Sequence, residues 1–429
     1  MSLMYELLDS FAEAYEAEKS ETELEMLQEA VERLSEAYEE DSLETRLAGL
    51  REAVALSRKL QDEPLTLVFD FYLGNELIGT AHDMIEGMAV VHPAAMASRD
   101  AIYAHQPQRI GLNNMLASAY TLIDPLGYAE EIQEIAELVE ASPLTDNEDL
   151  CIGLGATYEV QLAQGNLSAA TETRNEIWAH TRALDDPLYY LHAATYDTEL
   201  AFMRGDWQGM VDAATTCWEM VELADGSGGV DSFIERLDGG DSGDSFDQDE
   251  FDPSEEVDDG FASESTFQAS ADEDASFEDD ELEYEEDFNE ELGDDIETDT
   301  DYMVVAAAQA CGLAKLGRGD EIVGAETSNP DPEEPAPYNF YLFWVECHLA
   351  MKRFDVALKM AEEGWEELLG KGQHFREAQT LCLIIRAARA AGQLDEVDSW
   401  VRKANEVASL LRNSAPMLKE IEQAKDAMG

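Results

Sequence analysis

Positive charge is what this sequence has least of. Its 429 residues carry 26 Lys and Arg against 96 Asp and Glu, a formal net charge of −70. Nucleic-acid binding needs clustered Lys and Arg to neutralise phosphates, so this balance excludes a nucleic-acid partner of the usual kind. Docking on anionic lipid needs the same charges, and a membrane-surface role is excluded with it. No apolar run approaches the ~18 residues that a membrane span requires. The opening residues, Met1-Ser2-Leu3-Met4-Tyr5-Glu6-Leu7-Leu8, lack the basic start and apolar core of a secretory signal, and the expected location is the cytoplasm. Cysteine is sparse and odd in number. Cys151, Cys217, Cys311, Cys347 and Cys382 lie far apart without CxxC spacing. They read as reduced, buried small hydrophobes rather than disulfides or zinc ligands.

Catalytic signatures are missing as well. There is no HExxH, no P-loop, no GxSxG, and no GxGxxG placed after a strand. His82, His92 and His105 stand much farther apart than the i, i+4 step of helical metal ligands. No metal or cofactor is expected. Carboxylates are so frequent that no pair stands out as a general acid and base. Trp178, Trp207, Trp218, Trp344, Trp365 and Trp400 sit at helical spacing and read as core anchors rather than a ligand cage. The chain is read as non-enzymatic.

Strand-like alternation is also absent. Hydrophobic content of 45% supports a real core. Outside one central block, Ala, Leu, Glu and Met dominate, and apolar residues recur at i, i+3, i+4 and i+7, which predicts an all-α fold. The breaks between helices carry a period. Gln164-Gly165-Asn166-Leu167, Arg204-Gly205-Asp206-Trp207, Lys352-Arg353-Phe354 and Ala391-Gly392-Gln393-Leu394 each place a small or polar pair before a large apolar residue. The step from Leu167 to Trp207 equals the step from Phe354 to Leu394, a period of about 40 positions. A turn at Asp124-Pro125-Leu126 lies one such period before Leu167. Gly or a polar pair lets the chain leave a helix with positive φ, and the apolar residue opens the next helix. Each helix pair exposes an apolar face that only a neighbouring pair can cover, so the units stack into an α-solenoid of antiparallel helix pairs.

This pattern resembles the tetratricopeptide repeat family, in which small or apolar residues follow the turn residue at three, seven and ten. Here Ala357, Ala361 and Gly364 follow Phe354; Met210, Ala214 and Cys217 follow Trp207; Val397, Val401 and Ala404 follow Leu394. After Leu167 come Ala170, Arg174 and Ile177, with Arg174 a departure. The spacing of about 40 exceeds the ~34 usual in the family. The repeat-ending Pro is mostly missing, as in the longer repeats of regulatory sensor domains. The resemblance covers 145–223 and 334–413 most clearly, 64–144 less, and the N-terminal stretch 1–60 least. The chain therefore divides into N-terminal atypical or capping helices (1–63), repeats (64–223), an insertion (224–300), and further repeats with a C-terminal capping helix (301–429).

The insertion holds 32 acids and a single base, Arg236. Its length follows from the period. From Gly205 to the turn at Leu316-Gly317-Arg318-Gly319 the chain runs one repeat plus an excess of roughly 70 positions. The Pro-rich stretch 329–337 must be loop. Such charge density with Gly and Ser cannot bury enough apolar surface to offset ordering entropy, so disorder is expected. Yet Phe233, Phe246, Phe251, Phe261, Phe267, Phe277, Tyr284 and Phe288 recur through it, a composition that suits docking on a partner or on the chain's own groove. An inert, solvated insertion is the plainer alternative. Asp241 to Glu250 lacks the Gly and Glu spacing of a calcium loop.

The family resemblance implies that ligands lie along the first helices of the pairs, at positions 15, 12, 8 and 5 before each turn residue. Those positions are Ile152, Gly155, Glu159 and Leu162; His192, Thr195, Glu199 and Phe202; Asn339, Leu342, Glu346 and Leu349; and Gln379, Cys382, Arg386 and Arg389. The candidate binding residues are Glu159, His192, Thr195, Glu199, Asn339, Glu346, Gln379, Arg386 and Arg389. Glu159, Glu199 and Glu346 fall on one repeat position, and Arg386 and Arg389 close one end with positive charge. The expected function is a scaffold or adaptor binding a protein or peptide, with a basic partner matching the carboxylates. Two readings stay beside it: the sensory part of a regulator whose output lies on another chain, and an enzyme on an α-solenoid scaffold.

Overall fold

The computed structural model describes residues 21–38, 42–184, 187–224, 300–322 and 336–426. The expected acidic insertion lies outside these residues apart from its two ends, and so does most of the Pro-rich stretch. Among the described residues every regular element is helical, and sixteen α-helices pack in sequence as pairs. They are α1 (Glu21–Tyr38), α2 (Leu43–Lys59), α3 (Glu63–Asn75), α4 (Met84–Ser98), α5 (Gln108–Ile123), α6 (Ala129–Glu140), α7 (Asn147–Ala163) and α8 (Leu167–Leu184). There follow α9 (Pro187–Arg204), α10 (Trp207–Ala224), α11 (Thr300–Lys315), α12 (Tyr338–Ala350), α13 (Phe354–Leu368), α14 (His374–Ala390), α15 (Leu394–Ala408) and α16 (Ala415–Asp426). No helix of the described residues is long and apolar enough to cross a membrane.

The turns explain the period. Gly165, Gly205, Gly317, Lys352 and Gly392 have φ of 71°, 68°, 75°, 60° and 78°. In each case the next amide, from Asn166, Asp206, Arg318, Arg353 or Gln393, donates to the carbonyl five residues back at 2.9 Å. This bond closes a helix end by turning the chain through the left-handed region, where a Cβ is unfavourable and Gly is preferred. Asp206 then accepts from the Gly209 amide at 3.0 Å and Asn166 from Ala169 at 3.3 Å, so the residue after Gly caps the next helix. Leu167, Trp207, Phe354 and Leu394 each open a helix, as the turn pattern predicts. Helices α7 to α10 run 17, 18, 18 and 18 residues, and two such helices with a tight turn fill one period of the repeat.

The turn at Asp124 differs. Helix α6 opens at Ala129, not Leu126, because the Asp124 carboxylate holds the Gly127 amide at 2.9 Å and the chain makes an extra turn first. The small positions behave alike elsewhere. Ala170, Met210, Ala214, Cys217, Ala357, Ala361 and Ala404 are fully buried, where helices approach closely. Arg174 is accommodated by Asp197, whose carboxylate pairs with it at 2.8 Å and accepts from the Trp178 indole at 2.9 Å. All five cysteines are buried as free thiols.

Helices α10 and α11 meet directly across the acidic insertion. The Trp218 indole donates to Gln309 at 3.2 Å. At Gly312 an added Cβ would lie 2.8 Å from Val211 and 3.0 Å from the Trp207 carbonyl. The array also returns on itself. Helix α14 packs on α5, and the Met84 amide donates to the Lys371 carbonyl at 2.8 Å. The Asn413 amide donates to Asp124 at 2.9 Å, and Arg412 pairs with Glu131 at 2.6 Å.

Candidate functional site

Helices α7, α9, α12 and α14 carry the candidate residues, and two charge clusters form between them. Arg376, in the first turn of α14, organises the first. It donates to Glu159 of α7 at 2.7 Å and to Gln379 at 3.1 Å, and its guanidinium lies 5.1 Å from the ring centre of Tyr338 on α12. Only 7% of Arg376 is exposed. Despite that burial its pKa is raised, because Glu159 and Glu199 face it. Glu199 of α9 is also buried, and Asn339 is hydrogen-bonded to its carboxyl. Burial, and then repulsion from Glu159, pushes the Glu199 carboxyl up to about 8 against the opposing pull of Arg376. Two carboxyls and one guanidinium thus share a dry space, and the pair resolves its repulsion by keeping a proton on Glu199 near neutral pH.

The second cluster centres on Glu346 of α12, which is 3% exposed. Lys315 from the last turn of α11 reaches it at 2.7 Å, and Arg386 of α14 pairs with its other oxygen. Glu420 of α16 faces Arg386, and burial raises its carboxyl pKa. The three repeat-equivalent glutamates are therefore separated: Glu159 and Glu199 share Arg376, while Glu346 is held by Lys315 and Arg386.

The remaining candidates lie on the same helices, His192 and Thr195 on α9 and Arg389 on α14. His192 Nε2 and the Tyr196 hydroxyl lie 2.9 Å apart, and the Thr195 hydroxyl donates to the His192 carbonyl at 2.7 Å. Tyr196 in turn receives the Tyr158 hydroxyl on its carbonyl at 2.8 Å. Arg389 is half-buried in the last turn of α14. Of the apolar groove positions, Leu162, Leu342 and Cys382 are buried core, and Phe202 packs edge-on against Phe343 at 5.4 Å.

Sequence reasoning missed Arg376. It lies one helical turn before Gln379, just outside the four positions that the family resemblance carries over. Its signal is visible only in retrospect: no other Arg or Lys occurs in the first three turns of α14. Lys315 was missed because the partner of a repeat position on α12 comes from the neighbouring helix. Among the described residues no group of three or more His, Cys, Asp and Glu side chains is placed to hold a metal ion. No protein-family model matches the chain, and no curated protein is significantly similar to it.

Proposed function

We propose that this chain is a tetratricopeptide-like scaffold or adaptor, non-enzymatic, that binds a protein or peptide partner along its concave face. The observation that carries the reading is the convergence of charged and polar side chains from α7, α9, α12 and α14 within a stacked array. Extended peptides suit such a face, since successive helices offer evenly spaced hydrogen-bonding and charged groups. Support for the tetratricopeptide-like class comes from the repeated left-handed turns and from the buried small residues that follow them.

The charge pattern refines the partner. Every carboxylate at the shared repeat position has an internal cation or amide beside it, so a basic partner must compete with Arg376, Lys315 or Arg386. The acidic insertion, with 32 carboxylates and Arg236 as its single base, offers almost no cation to replace Arg376, Lys315 or Arg386, which argues against its acting as a plug in this face. Its role in this proposal is a second, separate interaction segment.

A pull-down from native lysate tests the assignment, comparing full-length protein, a chain lacking 226–298, and a concave-face variant carrying Asn339→Ala and Gln379→Ala. Partners lost only with the face variant support the concave-face reading. Partners lost only with the deletion move the binding function to the insertion. Capture that is indifferent to both changes rejects the proposal.

A further inference from the structure

Contacts that return the C-terminal helices onto α4–α7 are mainly polar, with Met84 and Ile85 lying against Gly372 as the apolar exception. At the outer end, Arg412 stacks its guanidinium 3.7 Å from the ring centre of Tyr128 and pairs with Glu131 at 2.6 Å. Tyr128 is itself stacked on Tyr120, with ring centres 4.0 Å apart. Beside them the Asn413 amide donates to the buried Asp124 at 2.9 Å. In the middle, the Met84 amide meets the Lys371 carbonyl, and the Gln373 side chain donates to the His82 carbonyl at 3.1 Å. At the inner end Arg376 grips Glu159 at 2.7 Å.

Met84 is buried at the middle contact, but the apolar side chains flanking it stay open to water. Ile85 and Leu369, which flank the middle contact, are 63% and 55% exposed. No apolar cluster has buried members on both sides: one draws them from residues 67–160, another from residues 201–424. Interfaces between successive helices are built the other way, from buried Ala, Leu, Ile and Val. Hydrogen bonds and ion pairs given up on opening are largely replaced by bonds to water, so a seam without a shared apolar cluster belongs to the low-stability end of a fold.

We propose that this seam is an autoinhibitory clasp. It opens as a unit through flexing of the helices between its two sides, and Arg376 is the internal ligand withdrawn from Glu159 and Glu199 when it opens. The proposal rests on the concave-face reading above and adds its regulation. Once Arg376 leaves, the Glu159 carboxylate and the neighbouring Glu199 carboxyl are left without their cation. The partner group that replaces it is another planar guanidinium, which matches a carboxylate in two-point geometry better than an ammonium does. The occupant committed to is an arginine-bearing peptide.

Hydrogen exchange on the full-length protein tests the clasp without any partner. Arg412→Ala removes only a half-exposed side chain at the outer end, so the helices remain folded. If the seam opens as a unit, amides at 82–85 and 371–376 exchange about tenfold faster in this variant, although Arg412 touches none of them. Exchange that changes only at 124–131 and 409–413 overturns the clasp. The ligand is tested with fluorescent hexa-arginine and hexa-lysine peptides, whose equal charge cancels general attraction to an acidic protein. Arg412→Ala is expected to bind hexa-arginine several-fold better than wild type does, with new exchange protection at 155–163 and no such gain for hexa-lysine. Opening of the seam without that gain overturns Arg376 as an internal ligand. Loss of lysate partners in the concave-face variant is read separately, so failure of the clasp and failure of the binding assignment are told apart.

Discussion

Glu199 shows how one side chain changes character between the unfolded chain and the array. In water it titrates near the usual carboxylate value; in the fold, burial and Glu159 raise it to about 8. A carboxyl raised on folding contributes stability that is fully present below its unfolded pKa and is lost as pH rises through its folded pKa. The fold therefore loses stability through this group as pH climbs from about 4.3 to about 8. Glu199→Gln keeps the shape and the hydrogen bond with Asn339 but cannot ionise. Its melting temperature is expected to exceed that of wild type at about pH 8, and the advantage to shrink toward about pH 5. An equal difference at both pH values would show that Glu199 is not the titrating group. That Glu159, Glu199 and Glu346 share a repeat position was legible from spacing alone. Which cation each one finds was not, because Arg376 comes from a helix 217 residues from Glu159, while Lys315 and Arg386 come from helices other than that of Glu346.

Helices and turns were the most legible level. A Gly or polar pair followed by a large apolar residue defines a local conformation, and local conformation needs no distant partner to be inferred. Gly205→Ala places a Cβ at a φ of 68°, where an L-residue costs about 1–2 kcal/mol. The expected result is a loss of that size in urea unfolding, with the charge clusters between α7 and α14 intact. Gly312 is a different case, since its helix position is ordinary and its constraint is the neighbouring helix. Gly312→Val pushes side-chain atoms into Val211 and the Trp207 carbonyl and is expected to cost about 1–3 kcal/mol by overpacking. Circular dichroism during thermal melting reads both. The Asp124 turn marks the limit of local reasoning: a carboxylate that holds the turn at Gly127 also holds Asn413, and Asn413 lies 289 residues away.

At the scale of the molecule, the charge of −70 separates into an insertion and a helical array whose key internal acids are paired. Because α10 and α11 pack directly, a chain lacking 226–298 is expected to keep its helical content and melt within about 2 °C of wild type, as surface changes away from packed features usually do. A collapse of the melting transition would mean that the insertion is part of the packed array. The sequence by itself determined the all-α class, the spacing of the turns and the residues that make them. Those follow from periodicity and backbone preference, which act over short stretches of chain. Only the tertiary structure decided that the array returns on itself, that Arg376 sits between Glu159 and Glu199, and that Glu346 is held by Lys315 and Arg386. Such pairings depend on the accumulated rotation of stacked helix pairs, and small angles summed over many repeats leave no trace in local pattern.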